Sequence, residues 1–344
     1  MNIKRFTALA LTAVLAATGF TGCSKNFESV VTVEDTAFSP SMYLCAQYQA
    51  YSAAWDEVSE GTEDLLSATI DDMSAEEWIH AETIKNLKVY AWVEKTFEEM
   101  GLKLDQEEID YINYQIEYYW PYLEETYTNN GIGKETYSEF VTVNYKSNDI
   151  FAAIYENGEK APTDDEYKAY MDEHYARVNG FYMPMANADG SEFDEKQEAT
   201  VIDLCEAAVK ELNEGADIAE VCGKYKSEAA LITGDKNGYE EGSSYVTNMY
   251  VAKNSQAVSE VVSANAFVME ENGDFTYDVS NDQYFIYQRV PNFATDKELA
   301  DLKKDLVGEM KGDEYTAYFE GEAEKIEVVE NTAAVKYYSV KKIK

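Results

Sequence analysis

The chain has 344 residues, and its 28 Lys and Arg against 66 Asp and Glu give a formal net charge of −38. Such a surface repels phosphate backbones and anionic lipid headgroups, which argues against nucleic acid as a partner and against charge as the means of holding the chain at a membrane. The length suits about two domains.

The first residues have the pattern of an export signal. Lys4 and Arg5 precede an uncharged apolar run over 6–20, which is shorter than the about 20 residues of a spanning helix. The run leads to Thr21-Gly22-Cys23, which resembles a bacterial lipobox, where the cysteine thiol receives a diacylglycerol. We predict a signal peptide over 1–22 and a lipid anchor at Cys23, with an ordinary secreted protein as the alternative. The predicted location is the outer face of the bacterial cytoplasmic membrane.

Helices dominate the part that follows. After a tether, a strand is predicted from Val30 to Phe38, so that residues 23–38 form the anchor, the tether and the first strand. A serine cap and a proline in the first turn then start a helix at Ser39-Pro40. Later helix starts are marked by four predicted capping boxes: Ser74 with Glu77, Asp105 with Glu108, Thr163 with Glu166, and Thr295 with Glu298. The sequence predicts a helical lobe over 39–175 and a C-terminal helix and tail over 292–344 that pack on it.

The pattern changes between Arg177 and Pro291. A short apolar run is followed by a helix over about 196–212, a second helix over 218–225 and a glycine-rich stretch. The segment closes on residues 278–290, whose core Tyr284-Phe285-Ile286-Tyr287 is typical of a strand. This alternation predicts an α+β domain over 176–291, set between helices.

The cysteines outside the leader offer no metal site. Cys45, Cys205 and Cys222 each lie in an apolar helical pattern, where small buried residues are expected. With Cys23 lipidated, three cysteines remain, so at most one internal disulfide can form. No spacing resembles a zinc site, and neither metal nor cofactor is expected.

Several segments resemble the PrsA-type foldase lipoproteins and the related SurA-type periplasmic chaperones. These segments, in chain order, are 131–140, 162–170, 212–221, 224–228 and 233–239. The resemblance implies an α+β fold in which helices from both ends of the chain form one chaperone lobe. It also implies that a parvulin-like module, the family's prolyl isomerase domain, is inserted between them.

The expected isomerase residues are missing from that module. The family's groove contains two histidines and a nearby Cys or Asp, whereas the only histidines here are His80 and His174, outside the predicted module. The corresponding positions fall at or near Tyr182, Phe285 and Ala229. The resemblance therefore implies a groove that could hold an extended peptide but lacks the family's hydrogen-bonding groups. We expect no efficient isomerase activity; a working isomerase with a rearranged site is the alternative.

One predicted helix carries more aromatic residues than one buried stripe can take. Tyr111, Tyr114, Tyr118 and Tyr122, together called the tyrosine surface below, are the candidates for exposure. Tyrosine offers a large apolar contact area while tolerating water. The tyrosine surface could therefore bind unfolded or emerging secreted polypeptides without sequence preference. A solute-binding lipoprotein is a third alternative, although such proteins alternate strands and helices from the start.

Overall fold

The computed structural model describes residues 27–235, 245–253, 255 and 257–344. These residues form two compact units. Of the described residues, the first unit contains those from Phe27 to Ile150 together with Ala317–Lys344, and the second contains those between Phe151 and Thr316. Cys23 and the predicted signal peptide lie outside the described residues.

The first unit is mainly helical and is closed by a small sheet. Its helices are α1 (Pro40–Ala54), α2 (Ala75–Glu99), α3 (Gln106–Asn129), α4 (Lys134–Phe151) and α10 (Thr332–Tyr337), with the last residues of α9 (Asp296–Glu324). Its three-stranded sheet has the order β2-β1-β9, from β1 (Val31–Val33), β2 (Thr36–Phe38) and β9 (Val328–Glu330), and a two-residue hairpin joins β3 (Thr69–Ile70) to β4 (Met73–Ser74). Because β9 pairs with β1, the two ends of the chain share one sheet.

The first strand prediction was wrong in one respect. Residues 30–38 form a hairpin rather than one strand, because Glu34 adopts a positive φ of 49° and the chain turns back there. The β-branched residues that suggested a strand are divided between β1 and β2, whose Val31 and Phe38 are both buried.

Capping explains where the main helices begin. Ser39 caps α1, and complete capping boxes at Ser74, Asp105 and Thr163 start α2, α3 and α5 (Asp164–His174). The box predicted at Thr295 is only half formed. The Thr295 hydroxyl accepts from the Glu298 amide, but the Glu298 carboxylate turns to the Ala294 amide and to Arg177.

The second unit is built around a four-stranded antiparallel sheet of order β6-β5-β8-β7. Its strands are β5 (Tyr175–Pro184), β6 (Tyr245–Ala252), β7 (Thr276–Ser280) and β8 (Gln283–Val290), and its further helices are α6 (Glu195–Asn213), α7 (Ile218–Thr233) and α8 (Glu260–Val268). Residues 278–290 belong to two strands joined by Asn281-Asp282, both at positive φ, as a tight hairpin requires.

Both faces of this sheet are covered. Odd positions of β5 and even positions of β8, such as Phe181 and Ile286, pack with α6 and α7. The alternate positions, such as Val178 and Phe285, pack with α8. Burial on both faces accounts for the continuous apolar run in β8. The predicted α+β class is confirmed, with a helical lobe built from both ends of the chain and an α+β module inserted into it.

Candidate functional site

Helix α3 separates its aromatic residues into a buried stripe and an exposed surface. Its buried side chains repeat with helical spacing and are Ile112, Ile116, Trp120 and Tyr127. The tyrosine surface lies elsewhere on the helix. The exposed fractions are 52% for Tyr111, 60% for Tyr114, 51% for Tyr118 and 76% for Tyr122. A helix packs through one apolar face, so these four exposed rings are not needed to form the core.

Three of the four rings, those of Tyr114, Tyr118 and Tyr122, form a continuous patch, while Tyr111 contacts Tyr145 on α4. Tyr114 and Tyr118 are stacked with centroids 6.1 Å apart, and Tyr118 and Tyr122 are 6.2 Å apart. Both pairs are four residues apart, the spacing that brings helical side chains together. Tyr119, which is 49% exposed, extends the patch by an edge contact of 5.0 Å with Tyr118.

The helix that carries the patch is well anchored. At its start, the Asp105 carboxylate accepts from the Glu108 amide at 2.9 Å, while the Glu108 carboxylate accepts from the Asp105 amide at 2.8 Å. Lys134 ties it to the start of α4 through Glu117 at 2.6 Å. The helix continues past Pro121 to Asn129, although the proline removes one helical hydrogen bond.

The chemical character of the surface is aromatic with an anionic surround. Exposed carboxylates on the same helix include Glu107, Asp110, Glu117, Glu124 and Glu125. Tyrosine faces contact apolar side chains and attract Lys and Arg through the ring quadrupole. The surface is therefore suited to extended polypeptide segments that carry apolar and basic side chains.

The structure brings together only two of the three predicted groove residues. Tyr182 and Phe285 stack with centroids 4.4 Å apart on the α8 face of the sheet. Phe285 is fully buried and stacks in turn on Tyr287 at 5.1 Å, whereas Tyr182 is half-buried. Ala229 is buried in the cluster on the opposite face, with α6 and α7. These three residues thus do not line one groove.

Beside this aromatic stack lies a polar group that the sequence interpretation missed. Asp278 accepts hydrogen bonds from the Tyr287 hydroxyl at 2.7 Å and from the Asn265 amide at 2.8 Å. Burial, followed by the bond to Asp278, raises the pKa of Tyr287, so its hydroxyl stays protonated. An Asp among 66 acidic residues carries no signal in the sequence, and only strand pairing identifies it.

Both histidines make structural contacts. His80 lies 3.2 Å from Glu330 through Nε2 and 3.4 Å from the Tyr43 hydroxyl through Nδ1. His174, at the end of α5, packs against Tyr170 with ring centroids 4.3 Å apart. Neither belongs to a metal site, since the described residues contain no group of three or more His, Cys, Asp or Glu that could hold an ion.

The three cysteines of the described chain are buried, as predicted. Cys45 lies in the core of the first unit, and Cys205 and Cys222 share a cluster in the second. Burial raises the pKa of the Cys45 and Cys205 thiols to about 12, which keeps both unreactive.

Among the described helices, none combines the length and the apolar character needed to cross a membrane.

Comparison with known proteins gives structural matches only. No protein-family model matches the chain, and no curated protein matches it. Three matching solved structures are foldase proteins PrsA. They come from Streptococcus pneumoniae (17% identity, 81% of this chain and 92% of that chain, TM-score 0.33), Lactococcus lactis (9%, 92% and 100%, 0.37) and Bacillus subtilis (17%, 80% and 91%, 0.27). TM-scores this low carry no argument about mechanism, which rests on this chain's own residues. These three structures are PrsA foldases, the family that the sequence segments of this chain resemble.

Proposed function

We propose that this protein is an extracytoplasmic chaperone that binds unfolded or emerging secreted polypeptides through the tyrosine surface. The observation that carries the proposal is the continuous patch of exposed rings on α3, with exposed fractions from 51% to 76%. An exposed aromatic patch of this kind on a soluble surface is typical of an interaction site. Its rings contact any extended chain without requiring a particular sequence.

The proposal includes attachment to the membrane through a lipid on Cys23. The basic and apolar residues before Cys23 support it. A surface with a net charge of −38 needs such an anchor, because anionic headgroups repel it. Replacing Cys23 by Ser should move the protein from the membrane fraction to the soluble fraction of the producing cell. Equal membrane retention of the two forms would exclude lipid anchoring at this residue.

The chaperone is further proposed to lack efficient prolyl isomerase activity. Supporting this, the chain has no histidine between His174 and its last residue, and the positions expected for the family's polar groups are aromatic or apolar. Uncatalysed proline isomerisation takes tens of seconds, so holding a client during that time is useful by itself. A protease-free assay on several Xaa-Pro peptides should give the background rate, and a clear acceleration would establish the enzyme alternative.

The decisive experiment measures suppression of client aggregation by residues 24–344, which include every described helix and strand. A chemically denatured client, diluted into buffer, should aggregate less at a several-fold molar excess of the chain. The triple variant Tyr114→Ser, Tyr118→Ser, Tyr122→Ser should lose most of this effect while keeping its circular dichroism spectrum, because the three rings are exposed. A double variant at Trp55 and Met73, exposed apolar residues elsewhere in the same unit, is the matched control. Equal suppression by the triple variant would refute the role of the tyrosine surface.

A further inference from the structure

The last residues of the described chain lie on the first unit like a bound peptide. Residues 339–344, called the 339–344 segment below, contain a 3₁₀ turn over Val340–Lys342, which is followed by Ile343 in extended conformation. The turn contacts α1 and α2. Apart from this single turn, the segment belongs to no helix or strand, so side chains and main-chain groups of other elements hold it in place.

Asn130 recognises the main chain of this segment. Its Oδ1 accepts a hydrogen bond from the Lys344 amide at 2.8 Å, and its Nδ2 donates to the main-chain oxygen of Lys344 at 3.0 Å. Nδ2 also donates to the Thr126 carbonyl, which fixes the orientation of the side-chain amide. Asn130 is only 8% exposed. A buried side-chain amide that forms hydrogen bonds with both main-chain groups of one residue binds the backbone without selecting for that residue's side chain.

One side chain anchors the segment in an apolar pocket. Val340 is 4% exposed and belongs to a buried cluster with Ala50, Ala54, Leu65 and Ile79. The small alanines of α1 leave room for a branched side chain of this size. Ile343, at the end of the 3₁₀ turn, packs against the same cluster while partly buried. The pocket thus accepts one fully buried aliphatic residue of a chain that makes a single 3₁₀ turn.

A second buried amide lies along the same segment and has spare bonding capacity. Gln47 is 3% exposed and lines cavities on both sides of the segment, of about 620 Å³ and about 250 Å³. Its Nε2 donates to the Tyr43 hydroxyl at 3.4 Å, while its Oε1 has no partner. If the side-chain amide of Gln47 were rotated by 180°, the oxygen would accept from Tyr43 and the NH₂ group would be left without an acceptor. A peptide group offers both a donor and an acceptor, so it satisfies Gln47 in either orientation.

The remaining contacts of the segment are weak enough to be exchanged. Lys341 pairs with Glu76 at 2.7 Å, but both side chains are largely exposed, and exposed pairs contribute little. The Lys342 ammonium donates to the Tyr337 carbonyl, within the same stretch of chain. Displacing the segment therefore breaks the two hydrogen bonds to Asn130, the apolar contacts of Val340 and Ile343, and one surface ion pair.

We propose that this cleft is a second polypeptide-binding site, in which a segment of another polypeptide with an aliphatic anchor residue replaces the 339–344 segment. Asn130 and Gln47 bind the peptide groups of the incoming segment, and the pocket of Val340 takes its anchor. The 339–344 segment is then an internal competitor that covers the site until a better ligand arrives. This inference does not require the tyrosine surface to bind anything.

The test uses a fluorescein-labelled peptide with the sequence of residues 338–344, titrated with residues 24–344 in 0.3 M salt. In Val340→Asp the chain's own segment loses its anchor, so the peptide should bind at least about tenfold more tightly than to the parent chain. Lys341→Glu replaces the surface ion pair with Glu76 by a repulsion between two carboxylates and should give a two- to fivefold gain in peptide binding; it leaves the core untouched if the first variant does not fold. A scrambled peptide of the same composition measures charge-driven binding.

A second substitution tests the amide. In the Val340→Asp background, Asn130→Leu keeps the size of the side chain but removes its two hydrogen bonds to the main chain of Lys344, so peptide binding should weaken about five- to tenfold. The triple tyrosine variant in the same background should bind the peptide unchanged. Equal binding of the scrambled peptide, no gain in either released variant, or loss of binding in the tyrosine variant would each overturn the proposal. None of these outcomes bears on aggregation suppression, which tests the tyrosine surface separately.

Discussion

Gly180 illustrates how one residue sets the sheet of the second unit. It pairs with Tyr287 in the centre of β5, next to a register shift. A Cβ there would overlap the Ile286 carbonyl oxygen and lie 2.9 Å from Phe285 Cε2. Neither the Ile286 backbone nor the buried Phe285 ring can move away to make room for the added carbon. Gly180→Ala should therefore lower the free energy of unfolding by about 2 to 4 kcal/mol.

Urea unfolding followed by circular dichroism checks this expectation. Gly133→Ala is the matched control, because no atom lies within 4 Å of its Cβ position and its φ is not positive. That variant should stay within about 0.5 kcal/mol of the parent chain. Equal stability of the two variants would mean that β5 and β8 are farther apart than described.

Asp149 makes stability depend on pH. Burial, followed by the nearby Glu108 carboxylate, raises the pKa of Asp149 from its usual value of 3.8 to about 6. The folded chain thus holds this proton more tightly than the unfolded chain. The contribution of Asp149 to stability is fully present below pH 4 and is lost as the pH rises through 6.

Asp149→Asn should for this reason stabilise the protein by about 1 kcal/mol at pH 7.5, less than the full shift because the side chain is partly exposed and screened. At pH 4 the gain should nearly vanish. Urea titrations at both values provide the measurement, with Glu107→Gln, an exposed residue in the first turn of α3, as the control. A gain that is the same at both pH values would exclude the titration of Asp149 as its cause.

At the scale of elements, local sequence signals predicted where helices begin but not which strands pair with each other. The boxes at Ser74, Asp105 and Thr163 are contacts within four residues, so the sequence contains all the information needed. Helix α8 was not predicted, because its apolar residues do not repeat with helical spacing in the sequence. Only its packing against the sheet shows which of its sides is buried. The 278–290 hairpin was read as one strand, since Asn281-Asp282 resembles ordinary polar positions.

Helix α9 contains glycines that serve no packing purpose. Gly308 and Gly312 lie in its interior, and no atom stands within 4 Å of either Cβ position. Glycine in a helix interior costs about 0.5 to 1 kcal/mol relative to alanine, through the entropy of the unfolded chain. Gly308→Ala with Gly312→Ala should therefore raise the free energy of unfolding by about 1 to 2 kcal/mol.

The reverse change tests whether the effect is one of helix propensity. Ala317 is exposed in the same helix, and Ala317→Gly should cost about 0.5 to 1 kcal/mol. Chemical denaturation of the three proteins gives the comparison. A loss of stability in the double alanine variant would indicate that these glycines accommodate a close neighbour or a bend.

At the scale of the whole molecule, the sequence predicted the composition of the candidate site better than its geometry. Exposure of the four tyrosines is consistent with a count of the aromatic residues, since α3 carries seven of them and one buried stripe cannot take them all. The groove of Tyr182, Ala229 and Phe285 required the faces of two elements to be known, and Ala229 lies on the other face of the sheet. The amides of Gln47 and Asn130 gave no signal, because only the fold places residues 339–344 against them.

The net charge of −38 should govern which polypeptides this protein holds. A strongly anionic surface attracts cationic chains over a distance of about 10 Å at 0.1 M salt, whereas the tyrosine rings contact any chain once it arrives. Suppression of aggregation should therefore be stronger for a client of high isoelectric point than for an acidic client of similar size. Raising NaCl to 0.5 M should remove most of that difference but leave the effect of the triple tyrosine substitution intact. If acidic and basic clients are protected equally at low salt, the charge of the chain serves solubility alone, and client selection rests on the aromatic surface.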